Sequence, residues 1–585
     1  MNHPSWRKLT ILTLLSAATA LTSAPASACG GFFCSQQQPV NQAAERIIFA
    51  DNGDGTITAV IQILYDGPSE SFSWLLPIST VPQGDELGVA SDIAFTRLQF
   101  ATNPQFNLTQ TVEGRCRTSR GDGAVSTPVR ETCDDNPLLA GCDLPDTDGG
   151  SVSVEASGVV GAFEWSVISV DPSDQSDPVA PALEWLGANG YDVTPDGAAL
   201  MGPYLADGMY LLALKLTKGS DTGSIRPIAI TYAASAPMIP IKLTAVAANQ
   251  DMGVMTWALS NARAVPMNYN ALELNEARVN WFNASSNYEQ VVTEAADDAG
   301  GKGFVTEFAG PSSLLADVVW QQSEETEWQS VKNATYFSFD ELFQAVFQRY
   351  QAWSGFWDAV RRSVVLAPEV GFDDFRRCPG CYSEQVTFSP VELLSAIETD
   401  VIEPLRSVQE LIDRSPYTTR LYSTLSAAEM TVDPVFLFNP DLPEVSNIHQ
   451  ATQVIECDPS VYEFEAPWRI DLPQGTSIRG TPGTIGQWPD ATSDTPPNFR
   501  VLQLAATGEG QVVADNSEVI GTLLDGYNAG IPSPSGGSRN LDGGACSLGG
   551  ARSLEASPSF PLGLSGLLAV CLWRRRARRA SSLSR

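Results

Sequence analysis

The alternation of hydrophobic and polar positions is clearest between residues 204 and 310. Four apolar runs follow one another there, separated by short polar segments: 209–216, 225–232, 239–247 and 254–259. Period-2 runs joined by such turns predict an antiparallel meander. Pro237 and Pro240 stand at the start of the third run. Since proline donates no ladder hydrogen bond, that run is expected to begin at a sheet edge.

A hairpin is predicted near residue 50. Residues 51–55, with the sequence Asp-Asn-Gly-Asp-Gly, lie between apolar runs at 45–50 and 56–66. Asp-Gly between alternating runs favours a tight turn. An EF-type calcium loop would need oxygen ligands at the positions of Gly53 and Gly55, so the hairpin is the preferred interpretation.

The wider pattern predicts the fold class. A run at 71–78 predicts a buried strand, and residues 288–299 predict a helix that ends at a glycine cluster. Between 311 and 430 most segments carry Leu, Phe and Trp at helical spacing. We therefore predict an α+β protein. It has an antiparallel β-rich body, a sandwich or a meander, over 29–310, a helical region over 311–430 and an extended or β-structured part over 431–525.

The N-terminus has the pattern of a secretory signal. Arg7 and Lys8 precede an apolar stretch, and small residues follow at 26–28. This pattern predicts a signal peptide over 1–28 with cleavage after Ala28, and hence an exported protein. The alternative is a lipoprotein signal with an acylated Cys29, although Ala26 stands where that signal normally has leucine.

The C-terminus combines a linker with a short apolar segment. Residues 526–559 are rich in Gly, Ser and Pro, and an apolar run at 560–573 is followed by an arginine cluster. A helix of that length covers roughly 21 Å, less than the ~30 Å hydrocarbon core, so a permanent transmembrane helix is marginal. The preferred interpretation of 560–585 is a sorting tail, and the alternative is a weak membrane anchor.

Linker, cysteine, short helix and arginine cluster together resemble the MYXO-CTERM sorting tail of myxobacteria and their relatives. In this resemblance Cys546 is the processing position. It implies a processing protease as partner and transient or residual membrane association through the tail. It also implies a final location at the cell surface or outer membrane.

Composition narrows the classes of partner. The chain has 585 residues and 13 tryptophans, which is enough for several sizeable cores. Its formal net charge is −33. Because both ends are basic, the body is more acidic than the whole chain. Such a body is repelled by phosphate backbones, so nucleic acid is excluded as a partner, while cations or a plain solvated surface remain.

The cysteines predict a disulfide-bonded body. Eight of them lie between the signal and the tail: Cys29, Cys34, Cys116, Cys133, Cys142, Cys378, Cys381 and Cys457. An even number in an oxidising compartment predicts four disulfides, with local pairs such as Cys29–Cys34 favoured but the connectivity open. Cys378 and Cys381 form a CxxC motif. It lacks the second pair that zinc needs and the βαβ context of a thioredoxin-like site, so a structural disulfide is favoured over a redox site.

Few residues offer catalytic chemistry. His3 and His449 are the only histidines, which excludes an HExxH zinc site, and no Gly-x-Ser-x-Gly elbow accompanies His449. Glu273 and Glu276 lie three residues apart and would share one face of a helix, where they could perform acid–base chemistry on a glycan. The alternative for these two glutamates is a salt-bridged polar cluster. No metal ion and no cofactor are expected.

Five blocks of sequence resemble the uncharacterised DUF2330 family. They lie at 29–34, 72–77, 237–241, 273–278 and 430–434. The resemblance would cover about 29–520, and it implies a location and a shape but no activity. The first hypothesis is an exported cell-surface protein without enzymatic activity, with a structural, adhesive or ligand-binding role. The alternatives are a carboxylate-dependent surface hydrolase of glycans or peptides and a periplasmic partner of another surface system.

Overall fold

A computed structural model describes most of the chain between residues 41 and 531. The described ranges are 41–66, 73–84, 86–117, 152–170, 177–191, 195–216, 225–246 and 248–531. The predicted signal peptide with Ala28, the sorting tail with Cys546, and Cys29, Cys34, Cys133 and Cys142 lie outside the described residues.

The strands are numbered along the chain. They are β1 Asn41–Asp51, β2 Thr56–Asp66, β3 Ser73–Ile78, β4 Leu87–Val89, β5 Gln105–Gly114, β6 Val152–Val160, β7 Phe163–Val170, β8 Tyr210–Leu216, β9 Ile228–Ala233, β10 Ala248–Ser260, β11 Arg263–Pro266, β12 Asn270–Leu274, β13 Gly303–Pro311, β14 Val364–Leu366, β15 Val386–Phe388, β16 Tyr417–Leu425, β17 Phe436–Asn439, β18 Ile448–Cys457, β19 Trp468–Asp471, β20 Ser477–Gly480, β21 Asn498–Gln503 and β22 Gln511–Asp515.

The α-helices are numbered in the same way. They are α1 Asp92–Thr102, α2 Val179–Ala188, α3 Pro195–Ala206, α4 Ile241–Thr244, α5 Tyr288–Asp298, α6 Gln322–Asn333, α7 Phe339–Tyr350, α8 Phe356–Ser363, α9 Phe372–Arg377, α10 Pro390–Ile397, α11 Glu403–Arg414 and α12 Ser517–Gly530. No helix among these is long and apolar enough to cross a membrane. The last one, α12, extends into the first residues of the predicted linker.

A ten-stranded mixed sheet forms the centre of the fold. Its order is β22-β21-β12-β13-β16-β10-β1-β2-β9-β4. The pairs β1–β10 and β12–β13 are parallel, and the other pairs in this sheet are antiparallel. The predicted hairpin at 51–55 is confirmed, since β1 and β2 pair around it. Gly53 and Gly55 adopt positive φ angles of 75° and 89°, which glycine reaches without a steric penalty.

The large sheet is covered on both faces. Ile47 and Phe49 of β1 point into a core shared with the small sheet β3-β8-β7-β6, whereas Ile48 and Ala50 point into a core shared with helices of the middle region. Successive strand residues face opposite sides, so a strand buried on both faces is apolar almost throughout. The predicted buried strand at 71–78 is β3, which lies opposite the large sheet.

A third core lies at the other end of the molecule. There α5 and α12 pack with the sheet β20-β19-β18-β5, around side chains such as Val292, Trp468 and Ile520. The predicted fold class is thus confirmed: a β-rich N-terminal body is followed by helices in the middle and by late strands. The late strands β16, β21 and β22 join the same large sheet as the body.

The predicted meander over 209–259 is wrong. β8 lies between β3 and β7 in the small sheet, β9 pairs with β2 and β4, and β10 pairs with β1 in parallel. The third run contains the short helix α4, which begins directly after Pro240. Alternation identifies which residues form strands, but the pairing partners are set by contacts far away in sequence.

Helix α1 offers a matched test of this packing. Phe95 is fully buried and meets Trp257 of β10 edge-to-face with ring centroids 6.0 Å apart, while Phe100 on the same helix is 82% exposed. Phe95→Ala is expected to lower the free energy of unfolding by about 3–5 kcal/mol, because it leaves a cavity against the sheet. Phe100→Ala should change it by no more than about 0.5 kcal/mol. Urea unfolding curves check both values, and equal effects would contradict the placement of α1.

Candidate functional site

The two candidate glutamates lie on different elements. Glu273 belongs to β12, and Glu276 begins a single 3₁₀ turn, Glu276–Arg278. Buried Asn275 separates them, and its side chain caps the turn by accepting a hydrogen bond from the Ala277 amide. The expectation that the two carboxylates share one helical face is therefore wrong, because β12 continues to Leu274.

Glu273 forms an ion pair across two strands. β12 and β21 place it opposite Arg500, whose Nε and Nη2 lie 2.7 and 3.1 Å from its carboxylate oxygens. This hydrogen bond raises the pKa of Arg500. Both side chains are more than a third exposed, so the pair resembles an ordinary surface salt bridge of at most about 1 kcal/mol.

Glu276 reaches the single histidine of the described residues. Its Oε1 lies 2.8 Å from Nδ1 of His449, which is on β18 and 173 residues away in sequence. The backbone of Glu276 is held on both sides, since its amide donates to Gln474 and its carbonyl accepts from the Trp281 indole. The carboxylate therefore approaches the imidazole from a fixed turn.

The parallel pair β5–β18 orients the imidazole. Phe106 and His449 are register partners, and their rings stack with centroids 4.6 Å apart and planes 12° apart. Trp281 packs edge-to-face against Phe106, with ring centroids 5.0 Å apart. The histidine is thus fixed by a ring on one face and a carboxylate at Nδ1, and its side chain remains 26% exposed.

A buried ion pair lies beneath the surface pair of Glu276 and His449. Glu307 of β13 and Arg420 of β16 have side chains that are 0% and 2% exposed, with Oε2 and Nε 2.6 Å apart. The Tyr288 hydroxyl donates to the other carboxylate oxygen at 2.8 Å. Burial raises the pKa of the Glu307 carboxyl, while Arg420 and Tyr288 oppose that effect. Burial also raises the pKa of Tyr288, so its hydroxyl stays protonated.

A β-bulge brings Glu307 to its partner. The register between β13 and β16 shifts between Thr306 and Phe308, which leaves Glu307 as the extra residue. A bulge re-aims a side chain that regular alternation would point elsewhere. Sequence analysis missed both members of the pair, although the charge of Glu307 within the largely apolar segment 303–311 was a signal that could have found one of them.

The chemistry of this arrangement is limited by its neighbours. A carboxylate that holds one imidazole nitrogen is the orienting half of a histidine general base. Among the described residues, however, no hydrogen bond joins His449 to a hydroxyl or a thiol, and no group of three or more ligating side chains could hold a metal ion. Arg278, the other charged residue of the turn, pairs with Glu294.

Two disulfides are formed within the described part of the chain. Cys116 and Cys457, 341 residues apart, lie beside the ends of β5 and β18 and are joined with a Cα–Cα distance of 4.6 Å. Cys378 and Cys381 are joined to each other directly after α9. The first bond clamps the same strand pair that carries Phe106 and His449.

Comparison with known protein families identifies a match. The family model described as "Uncharacterized protein conserved in bacteria (DUF2330)" matches residues 23–320. The chain belongs to the DUF2330 family. The matched span includes Glu273, Glu276 and Glu307, while Arg420 and His449 lie beyond it. No curated protein and no solved structure matches the chain.

The buried pair can be tested by removing its cation. Arg420→Met is expected to lower the free energy of unfolding by about 3–5 kcal/mol at neutral pH, because the Glu307 carboxylate stays buried without its guanidinium. Arg500→Met is the matched control, since it leaves Glu273 half-exposed to water and should cost at most about 1 kcal/mol. Denaturant unfolding of both variants measures the difference.

The same variant should show a specific pH dependence. Arg420 lowers the pKa of Glu307, so Arg420→Met raises it further above its ordinary value of 4.5. A carboxyl with a raised pKa stabilises the fold below that ordinary value, and the contribution is lost as the pH rises. The deficit of Arg420→Met should therefore be smaller near pH 4 than near pH 7, and adding Glu307→Gln should recover part of it near pH 7. An equal deficit at both pH values would contradict the coupling.

Proposed function

We propose that this protein is exported and acts at the cell surface without enzymatic activity, in a structural, adhesive or ligand-binding role. The Cys116–Cys457 disulfide carries the proposal of export. It joins segments 341 residues apart at the edge of a sheet. Bonds of this kind persist in oxidising compartments and are rare in the cytosol. The predicted signal peptide over 1–28 and the even number of body cysteines point in the same direction.

The surface location is proposed from the chain's end. The resemblance of the tail to a sorting signal provides Cys546 as the processing position and a protease as the partner that acts there. A net charge of −33 suits a well-hydrated exterior. The role proposed here needs the folded body outside the cell and the tail only for delivery.

The charge pairing of the candidate carboxylates supports a non-enzymatic role. Glu273 is paired with Arg500, Glu276 with His449, and Glu294 with Arg278. General acid–base catalysis on a glycan needs two carboxyl groups facing one substrate. Here Glu273 is part of a surface ion pair on a strand, and Glu276 contacts His449 from a separate turn.

The intact mass of the protein taken from its own cells tests the export proposal. We expect a chain that starts at Cys29, ends near Cys546 and gains about eight hydrogens on reduction, as four disulfides require. A Cys116→Ser/Cys457→Ser variant should gain about two fewer. A chain that retains Met1 and Arg585 and carries free thiols before reduction would contradict export and processing together.

A carboxylate-dependent surface hydrolase of glycans or peptides is the second candidate function. The contact between Glu276 and His449 is the observation that favours it. A hydrolase of this kind would lose turnover in Glu276→Gln and keep its melting temperature, with Glu273→Gln as the paired control. Under the first proposal no turnover is found, and Glu276→Gln lowers stability by about 1–3 kcal/mol through the weakened hydrogen bond. Screening labelled glycans and peptides against the three proteins separates the two functions.

A further inference from the structure

The Cys378–Cys381 disulfide closes a turn whose shape is already fixed by backbone hydrogen bonds. The Cys381 amide donates to the Cys378 carbonyl at 3.0 Å, and the Tyr382 amide donates to the Pro379 carbonyl at 3.2 Å. These bonds form a single 3₁₀ turn. Before the turn, the Cys378 amide donates to the Asp374 carbonyl and so continues the end of α9. The sulfur–sulfur bond therefore adds little to the shape of this segment.

Side-chain packing anchors the chain on both sides of the turn. Phe375 of α9 is fully buried and packs against Phe339 and Phe343 of α7, with ring centroids 5.8 and 6.3 Å apart. Tyr382, directly after the turn, is partly buried against the same core. A disulfide stabilises mainly by restricting the unfolded chain, and this effect is smallest for short loops. A bond between cysteines three positions apart is therefore expected to contribute little to stability.

One end of this disulfide is accessible to solvent. Cys381 is exposed, whereas Cys378 is half-buried. Apart from the turn itself, a Cβ at Gly380 would lie within 4 Å of only one atom, Oδ1 of Asp340. The space beside the turn is therefore open, and a thiol can approach the bond from the side of Cys381.

The other disulfide of the described chain has the opposite properties. Cys116 and Cys457 are both half-buried, and they pack against the third core. Their bond joins segments 341 residues apart and clamps the pair β5–β18. Exposed disulfides are the ones that are labile, regulatory or catalytic, whereas structural ones resist reduction. The two bonds are thus suited to different tasks.

We propose that the Cys378–Cys381 disulfide is a site of thiol–disulfide exchange with an external dithiol. A donor thiolate attacks Sγ of Cys381, the sulfur–sulfur bond breaks, and Cys378 leaves as a thiolate. The second donor thiolate then attacks the donor sulfur of the mixed disulfide, and Cys381 leaves as a thiolate. The two cysteine thiolates take up the two protons that the donor thiols lose. The donor is oxidised to a disulfide and the cysteine pair is reduced, which is a stoichiometric reaction beyond the proposed surface role.

The position of Cys378 selects a dithiol as the donor. After a monothiol has attacked Cys381, the turn holds the Cys378 thiolate beside the mixed disulfide, where it expels the monothiol again. Two groups held in one molecule react at an effective concentration far above that of a free thiol. A second thiol on the donor also reacts within one molecule, so it can compete with Cys378.

Timed reduction of the full chain by dithiothreitol, a small dithiol, tests the proposal. Free thiols are alkylated at intervals under native conditions, and the labelled peptides are identified by mass spectrometry. Cys378 and Cys381 should be labelled at least about tenfold faster than Cys116 and Cys457, because the attacking thiolate needs access to a sulfur. Equal rates, or faster labelling of Cys116 and Cys457, overturn the proposal.

A monothiol of similar size tests the selection of the donor. At an equal concentration of thiol groups, 2-mercaptoethanol should reduce the Cys378–Cys381 bond at least about tenfold less than dithiothreitol. Cys378→Ser removes the competing thiolate, so oxidised 2-mercaptoethanol should form a lasting mixed disulfide at Cys381. Cys381→Ser is the matched control, and its half-buried Cys378 should react at least about tenfold more slowly. Equal reduction by the two reagents, or equal reaction of the two variants, overturns the proposal.

The double variant Cys378→Ser/Cys381→Ser tests whether the bond is needed for the fold. Its melting temperature should lie within a few degrees of the wild type, since the turn and its anchors remain. A loss of the cooperative unfolding transition overturns the proposal, because the bond would then be structural. An exported and processed chain whose Cys378–Cys381 bond resists dithiothreitol overturns this inference alone. A chain that exchanges thiols but stays in the cytoplasm overturns the proposed location.

Discussion

The buried ion pair of Glu307 and Arg420 constrains how the large sheet and the elements around it are assembled. Arg420 donates to the Gln99 carbonyl, the Thr102 hydroxyl and the Asn103 side chain, so it holds the end of α1 as well as Glu307. A buried guanidinium is tolerated only when its donors are satisfied, because its desolvation costs several kcal/mol. The position of α1, the bulge in β13 and the hydroxyl of Tyr288 are therefore all tied to one side chain in β16.

This network also links the core under the helices to the surface pair of Glu276 and His449. Trp257 donates to Thr102, and its ring lies 5.6 Å from the Arg420 guanidinium, which continues the polar contacts into the core under the helices. On the other side Tyr288 contacts Phe106, the ring that stacks on His449. The surface pair of Glu276 and His449 is thus positioned by the same interior that holds the sheet together. A polar pair held in a fixed position in this way is what a structural role requires.

Local signals in the sequence predicted local structure well. Two glycines with positive φ set the turn between β1 and β2. Helix α5, which ends at Asp298, is followed closely by Gly300 and Gly301, again with positive φ. The pairing partners of the strands could not be predicted in this way. β10 pairs with β1 in parallel, and β8 belongs to the small sheet. The periodicity of a strand does not indicate which strand it pairs with. For the same reason Glu276 could be singled out from its sequence neighbours, while its contact with His449, 173 residues away, could not.

The family match covers only some of the strands of the large sheet. Residues 23–320 include β10 and β13, but in the sheet these two strands are separated by β16, which begins at Tyr417. The matched span alone would leave both strands with an unpaired edge in the middle of the sheet, and it would leave Glu307 without Arg420. Exposed edges invite pairing with other chains, and an unpaired buried carboxylate is costly. The part of the chain beyond the match therefore completes the matched part rather than following it as a separate module.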